Sequence, residues 1–118
     1  MIRVMLVDDQ TLVRQGVRSL LELADTIEVV AEAADGKQAV EQVPQVKPDV
    51  LLMDMRMPVM SGLEALRGLA AINALPPTII LTTFDDDQLV LAGIKAGAKG
   101  YLLKDVSLDQ LVSAIQTV

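Results

Sequence analysis

The sequence predicts an α/β domain, a (βα)5 chain folded into an open, doubly wound sheet of five parallel strands. Short apolar segments alternate with segments of helical spacing along the 118 residues. The apolar segments are continuous rather than alternating in polarity, which indicates strands that are buried on both faces. For five such strands, the flavodoxin-like order 2-1-3-4-5 is the common arrangement.

The individual elements follow from composition and spacing. Each strand is predicted by a short run of apolar and β-branched residues, and each helix by apolar residues that recur on one helical face. The first and fifth helices have the clearest pattern, in residues 12–21 and 108–115. The predicted strands are residues 2–7, 27–31, 50–53, 78–82 and 101–103, and weaker helical patterns cover residues 37–43, 63–72 and 88–96.

Two local features modify this pattern. Pro44 has no backbone N–H to donate, so we expect it to end or kink the second helix near Val43. The last helix reaches Val118 with no Gly cap or Pro stop behind it, as at the edge of a domain within a longer protein. We therefore expect residues 1–118 to form one domain and a further domain to follow in the parent protein.

The composition excludes several kinds of site. The chain has no cysteine and no histidine, which excludes disulfides, zinc sites of cysteine or histidine, and Ser-His catalytic triads. Its formal net charge of −6 makes this segment a poor nucleic-acid binder by itself. The apolar N-terminal segment is too short for a signal peptide, and no segment approaches the roughly 20 apolar residues of a membrane span. We expect a soluble, cytoplasmic protein.

Charged and hydroxyl side chains stand where four of the predicted strands end. Asp8 and Asp9 follow the first strand, Asp54 follows the third, Thr82 ends the fourth and Lys104 follows the fifth. Because ligands in open α/β sheets bind at the carboxyl ends of the strands, we expect these side chains to meet at one edge. Three neighbouring carboxylates repel one another, so the site requires positive charge from Lys104 and a divalent cation. Oxygen ligands of this kind favour Mg²⁺.

This set of groups predicts phosphoryl transfer through an aspartyl phosphate, which requires a carboxylate beside a metal ion and phosphate-binding groups. Asp54 is the predicted nucleophile, and Asp8 and Asp9 are the predicted metal ligands. Lys104 would pair with one phosphate oxygen, and the Thr82 hydroxyl would donate a hydrogen bond to another.

Four motifs in order along the chain resemble a known family. They are Val-Asp-Asp-Gln at 7–10, Leu-Met-Asp-Met-Arg-Met-Pro at 52–58, Leu-Thr-Thr at 81–83 and Gly-Tyr-Leu-Leu-Lys at 100–104. Together they are similar to the receiver domains of two-component response regulators, and the resemblance covers essentially the whole chain. The segments at 81–87 and 101–105 further resemble the subgroup that carries a C-terminal LuxR-type helix-turn-helix domain.

The resemblance implies a mechanism and a role for each site residue. A partner sensor histidine kinase would supply the phosphoryl group in a Mg²⁺-dependent reaction, and the protein would modify only itself. The new phosphate would draw in a hydroxyl and a lysine, and an aromatic side chain would move into the vacated space. The matched residues are Asp54 as phospho-acceptor, Asp8 and Asp9 as acidic pair, the Arg56 backbone carbonyl as third metal ligand, Thr82 and Tyr101 as switch pair, and Lys104.

The resemblance also implies partners and an output. The face of helix 4, strand 5 and helix 5 would change shape, as a shift between two pre-existing states. A homodimer is expected on activation, through that face or through helix 1 with helix 5, and the sequence leaves this open. DNA would be contacted by the output domain and not by this domain.

The sequence departs from the family pattern at several positions. Asp105 replaces the proline that often follows the lysine, so we expect a trans peptide bond there. Val59 replaces a glycine that is frequent in the subgroup, which predicts a stiffer loop after Pro58. Arg56 and Phe84 occupy positions that influence the lifetime of the phosphoryl group in this family, so that lifetime is not predicted.

Some of these residues have simpler structural interpretations. Asp9 is also a candidate N-cap for the first helix. Tyr101 is also a candidate core aromatic. The run Asp85-Asp86-Asp87 predicts a loop with the N-cap and first turn of the fourth helix rather than a second metal site.

Three other functions fit parts of the sequence. An aspartyl-nucleophile phosphatase of the haloacid-dehalogenase type would need a second acid two residues after Asp54, where Arg56 stands. A nucleotide- or flavin-binding module would need a Gly-rich or hydroxyl-rich loop after the first strand, where Asp8 and Asp9 stand. A stand-alone receiver that acts through protein–protein contacts remains open.

Overall fold

A computed structural model describes residues 1–83 and 86–118 of the chain. Five strands and five helices alternate along it: β1 (Ile2–Val7), α1 (Thr11–Leu21), β2 (Ile27–Ala33), α2 (Gly36–Val46), β3 (Val50–Asp54), α3 (Gly62–Ala71), β4 (Thr78–Thr82), α4 (Asp87–Lys95), β5 (Gly100–Leu103) and α5 (Leu108–Thr117). The strands form one parallel sheet in the order β2-β1-β3-β4-β5. The predicted fold class and strand order are confirmed.

Two hydrophobic clusters cover the two faces of the sheet. Successive strand residues point to opposite faces, so Leu51 and Met53 of β3 pack under α2, α3 and α4, while Leu52 packs towards α1 and α5. All five residues of β3 are buried, which is the pattern of a central parallel strand with helices on both sides. The core consists almost entirely of aliphatic side chains, as the composition requires.

The second helix differs from the prediction. It continues through Pro44 to Val46, so the expected end near Val43 is wrong. Pro44 removes one hydrogen bond and crowds the carbonyl four residues earlier, but its fixed φ is compatible with helical backbone, and the last turn of α2 still forms. Lys47 ends the helix in the left-handed conformation, with its N–H donating to the carbonyl of Val43 at 2.8 Å. The β2 strand is also two residues longer than predicted, because it follows β1 as far as Val7.

The loop between β3 and α3 is closely packed against the end of β3. A Cβ atom on Gly62 would lie 2.2 Å from the backbone oxygen of Asp54, so only glycine fits there. The next helix is held by a capping box in which the Ser61 hydroxyl accepts from the Glu64 N–H and the Glu64 carboxylate accepts from the Ser61 N–H. The end of β3 and the capped start of α3 therefore fix the two ends of the loop that contains Val59.

Several smaller expectations fall in the described segments. The described residues contain no cis peptide bond, so the bond between Lys104 and Asp105 is trans as predicted. Val59 adopts a φ of 66°, a conformation that a β-branched residue rarely takes. Asp86 occupies the N-cap position and Asp87 the first turn of α4, while Asp85 lies outside the described residues, as does Phe84. Within residues 1–83 and 86–118, no helix has the length and apolar character of a membrane span.

Candidate functional site

Three carboxylates meet at the carboxyl edge of the sheet. Asp8 and Asp9 follow β1, and Asp54 is the last residue of the adjacent strand β3. Each of the three offers a carboxylate oxygen, and these atoms all lie within 4.8 Å of one another. Asp8 and Asp54 are buried, whereas Asp9 is exposed. The strand order thus brings together the acidic residues that the sequence placed at this edge.

Lys104, the residue after β5, supplies positive charge to the cluster. Its Nζ lies 3.0 Å from Oδ2 of Asp54 and 3.2 Å from Oδ2 of Asp8. Its backbone N–H donates to the carbonyl of Thr82, which continues the β4–β5 pairing and fixes the lysine at the edge. Burial alone would lower the pKa of Lys104, but its contacts with the two carboxylates outweigh burial and raise it. Lys104 is therefore a cation at neutral pH.

The Asp54 carboxyl lies in a partly desolvated position. Burial raises its pKa above the ordinary value for Asp, and the hydrogen bond from Lys104 opposes that effect without cancelling it. The backbone N–H of Arg56 donates to Oδ1 of Asp54 at 3.3 Å. Asp54 is thus oriented by donors on both oxygens, and burial makes its ionised form less favourable than that of an exposed Asp.

Asp8 has one satisfied and one unsatisfied carboxylate oxygen. Oδ1 accepts from the backbone N–H of Gln10 at 2.8 Å. Oδ2 is buried and, among the described residues, has no hydrogen-bond partner, although Lys104 is within ion-pair distance. Such an oxygen is costly to bury unless a cation or a donor approaches it. Lys104 is one such cation, at 3.2 Å, and a bound metal ion would be a second.

The N-cap interpretation of Asp9 is wrong. Gln10 occupies the N-cap position of α1, and no side-chain hydrogen bond caps that helix within the described part of the chain. Asp9 instead leaves its carboxylate exposed beside Asp8 and Asp54. The helix forgoes the usual acidic cap, which leaves Asp9 free for another role at the site.

The donor set fits Mg²⁺. Three carboxylates within a few ångströms, one of them with a buried oxygen that lacks a hydrogen bond, form a hard, all-oxygen ligand group. The chain has no Cys or His that would favour a softer metal. The backbone carbonyl of Arg56 as a further ligand stays a prediction.

The two predicted switch residues lie on adjacent strands, in different environments. The Thr82 hydroxyl is buried and donates to the carbonyl of Thr83 at 3.1 Å. Tyr101 is 55% exposed, so the interpretation of Tyr101 as a core aromatic is wrong. Tyr101 lies on β5, next to the strand that carries the buried Thr82, and its exposed side chain is free to change rotamer.

Sequence reasoning missed one ion pair at this edge. The Arg56 guanidinium binds the carboxylate of Asp86, which is 8% exposed. The Arg56 side chain lowers the pKa of Asp86 through this hydrogen bond. The acidic run at 85–87 indicated only a helix start, and no spacing rule pairs Asp86 with Arg56, which lies 30 residues earlier.

Comparison with known proteins identifies the family. The family model of the response regulator receiver domain matches residues 4–116. The chain belongs to this family. As a receiver domain it is 42% identical over 118 residues to the transcriptional regulatory protein LnrK of Bacillus subtilis (strain 168), covering 100% of this chain and 54% of that protein.

Other relatives agree with this assignment. The nitrate/nitrite response regulator protein NarP of Escherichia coli (strain K12) is 47% identical over 114 residues, which cover 97% of this chain and 53% of NarP. A crystal structure of a LuxR-family two-component response regulator from Aurantimonas sp. SI85-9A1 superposes with a TM-score of 0.90 at 36% identity, covering 99% of this chain and 84% of that one. The receiver domain described here spans about half the length of the curated relatives it matches.

Proposed function

We propose that this receiver domain takes a phosphoryl group onto the carboxylate of Asp54 in a Mg²⁺-dependent reaction with a partner sensor histidine kinase. The observation that carries the proposal is the buried Asp54 carboxylate, held 3.0 Å from Lys104 and grouped with two further acids. This arrangement combines a nucleophile with a fixed cation and a metal-binding group. The domain modifies itself rather than turning over a separate substrate.

Asp54, Lys104 and Arg56 have different roles in the phosphoryl transfer. A carboxylate oxygen of Asp54 attacks the phosphorus of phosphohistidine, the P–N bond breaks, and the imidazole nitrogen leaves with its electron pair. Lys104 partly offsets the effect of burial on the Asp54 carboxylate and would afterwards pair with a phosphate oxygen. The hydrogen bond from the Arg56 N–H orients the Asp54 carboxylate for the attack.

The acidic residues would hold the metal ion. Asp8, Asp9 and Asp54 supply carboxylate oxygens, and we assign the Arg56 backbone carbonyl as the additional ligand. When bound, Mg²⁺ neutralises charge on the transferred phosphoryl group. The buried Oδ2 of Asp8 supports this assignment, because it lacks a hydrogen bond and a metal ion would add to the charge compensation from Lys104.

The switch would pass from Thr82 to Tyr101. The hydroxyl of Thr82 turns towards the new phosphate, and Tyr101 turns from its exposed position into the space beside β4. The face formed by α4, β5 and α5 then presents a different surface. Exposed apolar side chains on α4 and on α1, Leu91 and Leu12 among them, support contact with partners or with a second copy on activation.

The output of the parent protein follows from its relatives. Two of them are named as transcriptional regulatory or response regulator proteins and are about twice as long as this chain. We propose that a C-terminal LuxR-type DNA-binding domain follows residues 1–118 and that it contacts DNA in the cytoplasm. The alternative, a stand-alone receiver, predicts a natural protein that ends with α5.

The proposal is tested by intact-mass measurement after incubation with acetyl phosphate, with and without Mg²⁺. We expect a gain of one phosphoryl group that requires Mg²⁺ and is lost in Asp54→Asn. The matched control is Asp25→Asn, which removes an exposed acid between α1 and β2, and it should gain the phosphoryl group like the wild type. A gain that persists in Asp54→Asn would contradict the assignment of the acceptor.

A further inference from the structure

One buried carboxylate beside the site has no part in the proposed transfer. Asp86, the N-cap residue of α4, has a side chain that is 7% exposed. Its Oδ1 accepts hydrogen bonds from Nε and Nη2 of Arg56, the first at 2.8 Å. The Arg56 guanidinium holds the pKa of Asp86 below its ordinary value, so this residue is a carboxylate at neutral pH.

The other oxygen of Asp86 faces the switch threonine. Its Oδ2 lies 3.3 Å from the hydroxyl of Thr83 and 3.5 Å from the hydroxyl of Thr82, and both can donate to it. The Thr82 hydroxyl has one proton, which it shares between Oδ2 of Asp86 and the carbonyl of Thr83 at 3.1 Å. Among the described residues it has no hydrogen bond to Asp54. The resting hydroxyl is therefore engaged on the α4 side of the site.

Arg56 connects the phospho-acceptor to this arrangement. Its backbone N–H donates to Asp54, while its side chain binds Asp86. The backbone carbonyl of Asp86 accepts from the N–H of Val90 at 2.9 Å, which is the first hydrogen bond of α4. One ion pair thus links the loop after β3 to the first turn of α4.

We infer that Asp86 is a positioning residue, which holds the Thr82 hydroxyl away from Asp54 in the unphosphorylated protein, and that Arg56 keeps Asp86 in place. This inference rests on the proposed function, because it assumes that Thr82 donates to a phosphoryl oxygen. The phosphoryl group must then compete with Asp86 for one hydroxyl. The ion pair between Arg56 and Asp86 sets the equilibrium between the state with the Thr82 hydroxyl on Asp86 and the state with that hydroxyl on the phosphoryl group.

The role of Arg56 follows from the burial of Asp86. A carboxylate that is almost fully buried is unfavourable without a cation, and it would turn towards water if the guanidinium were removed. Arg56 is itself 68% exposed in its side chain, so its replacement leaves no cavity in the core. Loss of either partner should therefore weaken the hold on the Thr82 hydroxyl and leave it only the hydrogen bond to the Thr83 carbonyl.

The test uses beryllofluoride, which binds a carboxylate oxygen as a mimic of the phosphoryl group, at saturating Mg²⁺ with ¹⁹F NMR detection. Asp86→Asn keeps the size and N-cap competence of the residue and removes its charge. We expect it to lower the half-saturating beryllofluoride concentration by about twofold to fivefold. The matched control is Asp87→Asn, which removes the same charge from the adjacent exposed position and should leave that concentration unchanged.

A double-substitution cycle separates this role from a merely structural one. Because Asp86 acts through the Thr82 hydroxyl, Asp86→Asn should have no effect in a Thr82→Val background, which keeps the β-branched shape. Arg56→Gln should also tighten beryllofluoride binding, and its effect should not add to that of Asp86→Asn. Equal effects of Asp86→Asn with and without the Thr82 hydroxyl would overturn the inference.

The outcomes also distinguish this inference from the proposed function. If the wild type binds beryllofluoride, Asp54→Asn abolishes binding, and Asp86→Asn leaves the half-saturating concentration as it was, only the role of Asp86 is overturned. If the wild type itself does not bind the mimic at Asp54, the proposed function fails and this inference fails with it.

Discussion

Individual charges at the site are in electrostatic conflict before any ligand binds. Asp8 and Asp54 are 3% and 6% exposed, and Lys104 lies within ion-pair distance of both. Burial nevertheless leaves the pKa of Asp54 raised, which means that its ionised form is less favourable in the folded than in the unfolded chain. Burial of the ionised Asp54 carboxylate is therefore a cost to the stability of the fold.

Asp54→Asn should stabilise the Mg²⁺-free protein. The substitution removes a buried negative charge at nearly constant volume, and we expect a gain of about 1 kcal/mol in unfolding free energy, or roughly 4 °C in melting temperature. Thermal unfolding in the presence of a chelator measures this. The exposed Asp25→Asn serves as control and should change the melting temperature by much less.

The gain in unfolding free energy from Asp54→Asn should shrink as the pH falls. Because the pKa of native Asp54 is raised, the native state binds more protons than the unfolded state between the ordinary Asp pKa, about 3.9, and the raised value. The contribution of Asp54 to stability therefore decreases as the pH rises through this window. If wild type and Asp54→Asn differed in unfolding free energy by the same amount at neutral pH and near the ordinary Asp pKa, this interpretation would be contradicted.

Mg²⁺ should raise the melting temperature of the wild type, since a ligand that binds only the native state stabilises it by mass action. Asp9→Asn should abolish the rise. Because Asp9 is exposed, we expect the metal-free stability of the variant to stay within about 0.5 kcal/mol of the wild type. An undiminished response to millimolar Mg²⁺ in Asp9→Asn would count against the metal site.

At the scale of elements, the capping boxes fix where α3 and α5 begin. Ser61 caps α3 next to the site, and Ser107 caps α5 by the same pair of hydrogen bonds. We expect Ser61→Ala to lower the unfolding free energy by about 1 kcal/mol, as measured by urea denaturation. Ser107→Ala, a second capping-box variant, should lower the unfolding free energy by a similar amount. Unchanged midpoints in both variants would show that these caps do not stabilise the helices.

The loop between β3 and α3 carries strain at one residue. Val59 has a φ of 66° and is 78% exposed, so no core packing compensates for its conformation. Val59→Gly should raise the unfolding free energy by about 0.5 kcal/mol, because the relief of strain exceeds the added flexibility of the unfolded chain. Destabilisation of this variant in the same urea experiment would show that the conformation is tolerated without cost.

The elements were predictable where burial dictated them, and less so at their ends. β3 was evident because every residue is apolar up to Asp54, whereas the continuation of β2 to Ala33 depends on pairing with β1, which local composition does not encode. Pro44 misled the prediction of α2, since a helix can continue for two residues beyond a proline. The exposure of Tyr101 depends on the edge position of its strand in the sheet.

At the scale of the whole molecule, the site exists because of the strand order. Asp8, Asp54 and Lys104 come from three separate strand ends, and they meet only because β3 lies between β1 and β4, and β5 at the edge beside β4. The sequence predicted this convergence because the carboxyl ends of parallel strands share one edge. The ion pair between Arg56 and Asp86 was beyond such reasoning, since it depends on how two loops pack.

The measurement that tests the central claim most directly is the location of the phosphoryl group. Borohydride reduces the acyl phosphate of an aspartate to homoserine, which peptide mass spectrometry can place in the sequence. After incubation with acetyl phosphate and Mg²⁺, we expect homoserine at position 54 and at no other aspartate. Homoserine at Asp8 or Asp9, or a phosphorylated protein without any homoserine, would contradict that claim.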